Sequence, residues 1–156
     1  MEKLWTRVDL AQRQIIGRIE NQKVRNWNDM YKKDARAVLD AWLSGVNAGE
    51  FETVIGLYSA RAILLPTFSN KVLTDHESIQ GYFQQLGLRG SISVELFDST
   101  VNAQQYADKV EGVMGVYRWH FGDTDEAVDA RFTFITDVSQ PAAILHHHSS
   151  VVPVTK

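Results

Sequence analysis

The sequence predicts an α+β domain in which a curved antiparallel sheet, rolled toward a cone, packs on about three helices. Two observations carry this. Between Asp34 and Leu86 apolar residues recur at spacings of three and four, as on helices with one buried face. After Gly90 the period changes to two and holds through four successive stretches, as in half-buried strands. Strands joined by short polar links form antiparallel neighbours, and helices that precede them cover one face.

The first helix takes Ala35, Val38, Leu39, Trp42, Leu43 and Val46 as one apolar face. "NAGEF" ends it, with Gly49 free to adopt the left-handed conformation that closes a helix. A short second helix puts Phe51, Val54, Ile55 and Tyr58 on one side, and "RAILLP" reads as a short buried strand stopped by Pro66. In "TDHESIQGYFQQL", Thr74 and Glu77 have the spacing of a capping box, and Asp75 suits the positive end of the helix dipole. Ile79, Tyr82, Phe83 and Leu86 form that helix's stripe. The four strands are "SISVELFDSTV", "KVEGVMGVYRWHF", "AVDARFTFITDV" and "AAILHHHSSVVPV", with "NAQQYAD", "GDTDE" and "SQP" as connections.

Composition sets the limits. The chain has 156 residues, 44% hydrophobic and 22% charged, enough for one core in one domain. It has no cysteine, which excludes disulfides and thiolate chemistry and fits a reducing compartment. Charge is uneven. Residues 1–36 carry nine basic and five acidic side chains, whereas residues 37–156 carry seven and fourteen. Residues 1–32 therefore read as a basic helical extension or arm, with Leu4, Val8, Ile15, Ile16, Ile19 and Trp27 loosely periodic, ahead of a single domain over 33–156. Acids interrupt the basic residues, so no nucleic acid is expected as partner. No signal-type apolar region and no run of about 18 apolar residues is present, so no membrane contact and a cytoplasmic address are expected.

Strand alternation sorts the side chains. Tyr117, Trp119 and Phe121 share one face, and Val116, Arg118 and His120 the other; Arg131, Thr133 and Ile135 oppose Phe132 and Phe134. In the last strand Ile144, His146, His148 and Ser150 oppose Leu145, His147, Ser149 and Val151. Arg118, Arg131, His146 and His148 can thus meet across neighbouring strands. Two guanidiniums removed from water need carboxylates, which arginine grips through a two-pronged fork. That points to a pocket for a small organic acid, unless a protein carboxylate such as Asp129 or Glu95 is the partner. His146, His148 and His120 could ligate a metal, but no HExxH-type spacing supports it, and no metal or cofactor is expected. Acid–base chemistry would fall to Asp98, Tyr58 and His120. No G-x-S-x-G elbow and no phosphate-binding glycine loop occur.

One family resemblance spans about residues 33–153. "AWLSGVNAGEFETVIGLYS", "AILLP", "VLTDHESIQGYFQQL", "YRWHF", "ARFTFI" and "LHHHSSVVP", in that order, resemble the association domain of calcium/calmodulin-dependent protein kinase II and its stand-alone relatives in the nuclear transport factor 2-like superfamily, of cystatin-like fold. The resemblance implies a homo-oligomer, either a dimer or a ring. It also implies a pocket in which Arg118 and Arg131 match lining arginines and His146 and His148 match histidines of the last strand. Ser149 stands where the kinase domain has an arginine, and "DVSQPAAI" replaces a Gly-Lys-Trp turn. The function implied is a non-catalytic association domain; the alternative is an isomerase, cyclase or dehydratase like the superfamily's ketosteroid isomerases and SnoaL-like cyclases. The aromatic face of Tyr117, Trp119, Phe121, Phe132 and Phe134 either meets a partner or lies under the helices.

Overall fold

The computed structural model describes residues 33–155 except 123; the expected arm over 1–32 lies outside the described residues. Helix α1 (Ala35–Ala48) begins at Asp34, whose side chain accepts the Ala37 N–H, and ends at Gly49 with φ of 71°. A residue with a Cβ resists that left-handed conformation. Helix α2 (Phe51–Gly56) follows directly, and strand β1 (Tyr58–Leu65) runs longer than "RAILLP" suggested. Helix α3 (His76–Gly87) is capped by Asp75, which accepts the Ser78 N–H while the Ser78 hydroxyl donates to the Asp75 carbonyl. The expected Thr74–Glu77 box is therefore displaced by one residue, because Asp75 is itself a strong N-cap.

The sheet contains β2 (Ile92–Leu96), β3 (Asn102–Ala107), β4 (Val110–Phe121), β5 (Ala127–Asp137) and β6 (Ile144–Val151) beside β1. Its order is β1-β6-β5-β4-β2, with β3 also on β4. The β2, β4, β5 and β6 pairings are antiparallel as expected, whereas β1 lies parallel to β6. "NAQQYAD" is a correction, since it forms a strand and not a link. Strand β4 has twelve residues, long enough for β3 to pair with its first half and β2 with its second. A 3-10 turn over Asp98–Thr100 bridges the two, and Thr100 Oγ1 accepts the Val116 N–H at 2.9 Å where neither strand reaches. Strand β3 is exposed along its whole length, so it shows no alternation to read.

The helices settle the faces. Val38, Leu39 and Trp42 of α1, and Ile79 and Phe83 of α3, are buried together with Tyr117, Trp119, Phe121, Phe132 and Phe134. The aromatic face is the core, not a partner surface. Asn47 fastens α1 to β2 by exchanging two hydrogen bonds with the Val94 backbone, at 3.0 and 2.6 Å. The opposite face of the sheet carries no helix among the described residues.

Candidate functional site

One bulge decides which histidine is inside. Ile135 pairs with His146 and Thr136 with Ile144, which leaves Leu145 as an extra residue in β6. Ile144 and His147 then both point inward and are buried. The alternation expected through "ILHHHSS" fails at this step, and the middle histidine enters the core.

There it meets an aromatic cage built around Trp42. Ring centroids of Phe83, Tyr117, Trp119, Phe134 and His147 lie 5.4–6.5 Å from that of Trp42. His147 stacks on Phe134 at 3.8 Å. A single file of polar groups threads the cage. Trp42 Nε1–H donates to Tyr58 Oη at 3.0 Å, and Tyr58 Oη lies 2.7 Å from His147 Nδ1. Burial holds the Tyr58 hydroxyl well above its ordinary pKa and the His147 imidazole well below its own. Both groups are neutral, so the network assigns the Tyr58 proton to the bond with Nδ1 and places the imidazole proton on Nε2. Nε2 faces Tyr117 Oη at 3.5 Å. Tyr117, whose hydroxyl burial also keeps protonated, donates to Ser149 Oγ at 2.7 Å, and Ser149 meets Thr67 Oγ1.

Beside this file lies a cavity of about 10 Å³ lined by Trp42, Tyr117, Trp119, His147 and Ser149. That is on the order of one water molecule. The Trp119 Nε1–H is buried without a hydrogen-bond partner among the described residues. The buried polar residues besides the tyrosines are Thr136, His147 and Ser149. No carboxylate is buried among the described residues.

The expected site residues lie elsewhere. Arg118 is on the uncovered face and gives Asp129 a two-pronged ion pair at 2.6 and 2.9 Å. That bond raises the guanidinium's pKa and lowers the Asp129 carboxyl's. The protein carboxylate, one of the two partners left open by the sequence, is the one present. Arg131 and His148 come together at a depression of about 220 Å³ with Thr133 and Ser150. His146 shares their face, in register with Ile63 and Ile135, and partial burial lowers its pKa, with His148 adding to the effect. The three catalytic candidates do not converge. Tyr58 is in the core, His120 is on the uncovered face 3.4 Å from Glu95, and Asp98 is exposed on the 3-10 turn, held by Arg36 at 2.7 Å. Among the described residues no three His, Cys, Asp or Glu side chains converge as a metal centre requires, and no helix is long and apolar enough to cross a membrane.

Solved structures share this architecture. A candidate calcium/calmodulin-dependent protein kinase II association domain from Xanthomonas campestris matches with a TM-score of 0.68 and 27% identity, over 77% of this chain and 86% of its own. The chain has the nuclear transport factor 2-like fold. A nuclear transport factor 2-like protein of unknown function from Pseudomonas putida matches this domain with a TM-score of 0.65 at 14% identity, over 77% and 84% of the two chains. A ketosteroid isomerase-like protein from Erwinia carotovora matches with 0.61 at 11% identity, over 77% and 95%. No protein-family model and no curated protein matches the sequence.

Sequence reasoning missed Trp42, Thr67, Tyr117, His147 and Ser149 as a polar file within this nuclear transport factor 2-like domain. One signal was available: His147 and Ser149 share parity in a strand that also carries Ile144, and only a bulge can bury all three.

Proposed function

We propose that the chain is a non-catalytic association module that joins copies of itself through the uncovered face of its sheet. The observation that carries this is the make-up of that face. Leu65, Met114, Val116 and Ile135 are half-buried, and Ile63 is 39% exposed, on strands that no described helix covers. A sheet face of this mixture favours burial against a second copy, and a two-fold pairing of one face with itself closes on a dimer. The likeness to a candidate association domain supports the reading. A cytoplasmic setting fits a chain without cysteine.

The interior argues against the isomerase alternative. Ketosteroid isomerase-type chemistry needs a carboxylate base in the cavity, and the buried polar groups here are hydroxyls and one neutral imidazole. Of the residues expected to form a small-acid pocket, Arg118, Arg131, His146 and His148, Arg118 is paired with Asp129, while Arg131 and His148 line one depression.

Light scattering on a sizing column tests the proposal. Two chains of 17.7 kDa give a particle of about 35 kDa, and a ring gives several times that. Ile135→Glu, in the middle of the face, is expected to yield a single-chain particle with an unchanged circular dichroism spectrum. A wild-type protein that runs as one chain at every concentration overturns the proposal.

A further inference from the structure

One end of the sheet gathers basic side chains, within a domain whose sequence is net acidic. Residues 37–156 carry fourteen carboxylates against seven basic side chains. The two longest stretches of that region without Asp or Glu are residues 53–74, which carry Arg61 and Lys71, and residues 138–156, which carry three histidines and Lys156. The fold sets these two stretches side by side, because β1 pairs in parallel with β6, Leu65 against His148.

At the C-terminal ends of these strands two depressions meet. One, about 260 Å³, is lined by Thr67, Lys71, His148 and Ser150; the other, about 220 Å³, by Arg131, Thr133, His148 and Ser150. His148 and Ser150 form the ridge between them, and Arg131 sits opposite Ser150 in the register. The ion pairs of Lys and Arg among the described residues are Arg36 with Asp40 and Asp98, and Arg118 with Asp129, while the His120 ring lies 3.4 Å from Glu95. Arg131, Lys71 and His148 belong to none of them. Arg118, on the same face, has its carboxylate.

We propose that Lys71, Arg131, His148, Thr133 and Ser150 form a binding site, outside the core, for a small molecule bearing a phosphate monoester. The chemistry is specific in two ways. Two cations on either side of a ridge match a group with two negative charges, and the guanidinium fork and surrounding hydroxyls supply donors for three terminal oxygens. The depressions also extend well beyond one phosphate, so a carbon skeleton can lie along the ridge. The site goes beyond self-association but lies on the rim of the same face, so binding and assembly are read separately.

The test is calorimetric titration of the full chain with glycerol 3-phosphate, inorganic phosphate and succinate at a constant ionic strength of about 0.15 M. Saturable binding of glycerol 3-phosphate is expected, tighter than inorganic phosphate and at least tenfold tighter than succinate. Lys71→Ala and Arg131→Ala are each expected to weaken it at least tenfold, whereas Arg118→Ala leaves it unchanged. Native mass and circular dichroism of each variant establish that it is folded, and His148→Gln gives a third, milder loss. Ile135→Glu should bind within about threefold of wild type whatever its mass, which separates a failure of this site from a failure of the self-association reading. No saturation by either phosphate overturns the proposal. So does succinate binding as tightly as glycerol 3-phosphate, binding that survives both Lys71→Ala and Arg131→Ala, or its loss in Ile135→Glu.

Discussion

At the scale of single residues, His147 sets how stability depends on pH. Its imidazole is neutral in the folded domain because burial depresses its pKa well below 6.5. The unfolded chain binds a proton there near pH 6.5, so below that pH it holds more protons than the folded one. Stability is complete above about pH 6.5 and falls as pH drops from there toward the folded pKa, by up to ~1.4 kcal/mol for each pH unit. His146, lowered in the same direction, adds to the slope. Urea unfolding at pH 7.5 and 5.5 should show a lower midpoint at 5.5, and His147→Gln should shrink the difference. An equal difference in the variant places the proton uptake elsewhere. This residue also marks the limit of what the sequence alone conveys. The faces of β4 and β5 follow from strict alternation, as Tyr117 and Phe132 illustrate. A one-residue bulge at Leu145 leaves no trace in composition, so the histidines that alternation selects, His146 and His148, are those outside the core.

At the scale of elements, legibility follows exposure. Helix α1 could be read almost residue by residue because one of its faces is wholly buried. Strand β3 could not, because all six of its residues are exposed and nothing forces its polar and apolar side chains to alternate. Packing between elements also determines what each glycine does. A Cβ on Gly45 of α1 would stand 2.7 Å from Val54 Cγ2 of α2, whereas a Cβ on Gly81 of α3 meets nothing within 4 Å. Both substitutions improve helix propensity by about 1 kcal/mol. Gly81→Ala is expected to stabilise the domain by roughly 0.5–1 kcal/mol. Gly45→Ala is expected to destabilise it, because the overpacked junction costs about 1–3 kcal/mol and Val54 is fully buried. Urea midpoints that move in the same direction for both would show that α1 and α2 are not packed this tightly.

At the scale of the whole molecule, the proposed self-association would couple to folding. If copies meet through the face carrying Met114, Val116 and Ile135, as proposed, the paired state is stabilised by mass action. The melting temperature of the wild-type chain is expected to rise with protein concentration, and that of Ile135→Glu to stay constant. A wild-type melting temperature independent of concentration over two orders of magnitude would count against coupled assembly. The fold class, the three helices and the central antiparallel strands were all legible, since each rests on a long periodic run. The parallel seam between β1 and β6 was not, because nothing local in either strand names a partner that far along the chain.

That seam bears on how the protein is made. Strand β6 is the last of the described strands to leave the ribosome, yet it lies between β1 and β5. Roughly eighty residues separate Leu65 from its neighbour His148, so β1 emerges about 4–16 s before the strand that completes it, at ordinary rates of synthesis. During that interval Ile63, Leu64 and Leu65 have no β6 to pair with, and neither has the outer edge of β5. The nascent chain is thus most vulnerable to sticking and to chaperone capture just before β6 emerges, and that final strand acts as the latch that closes the sheet.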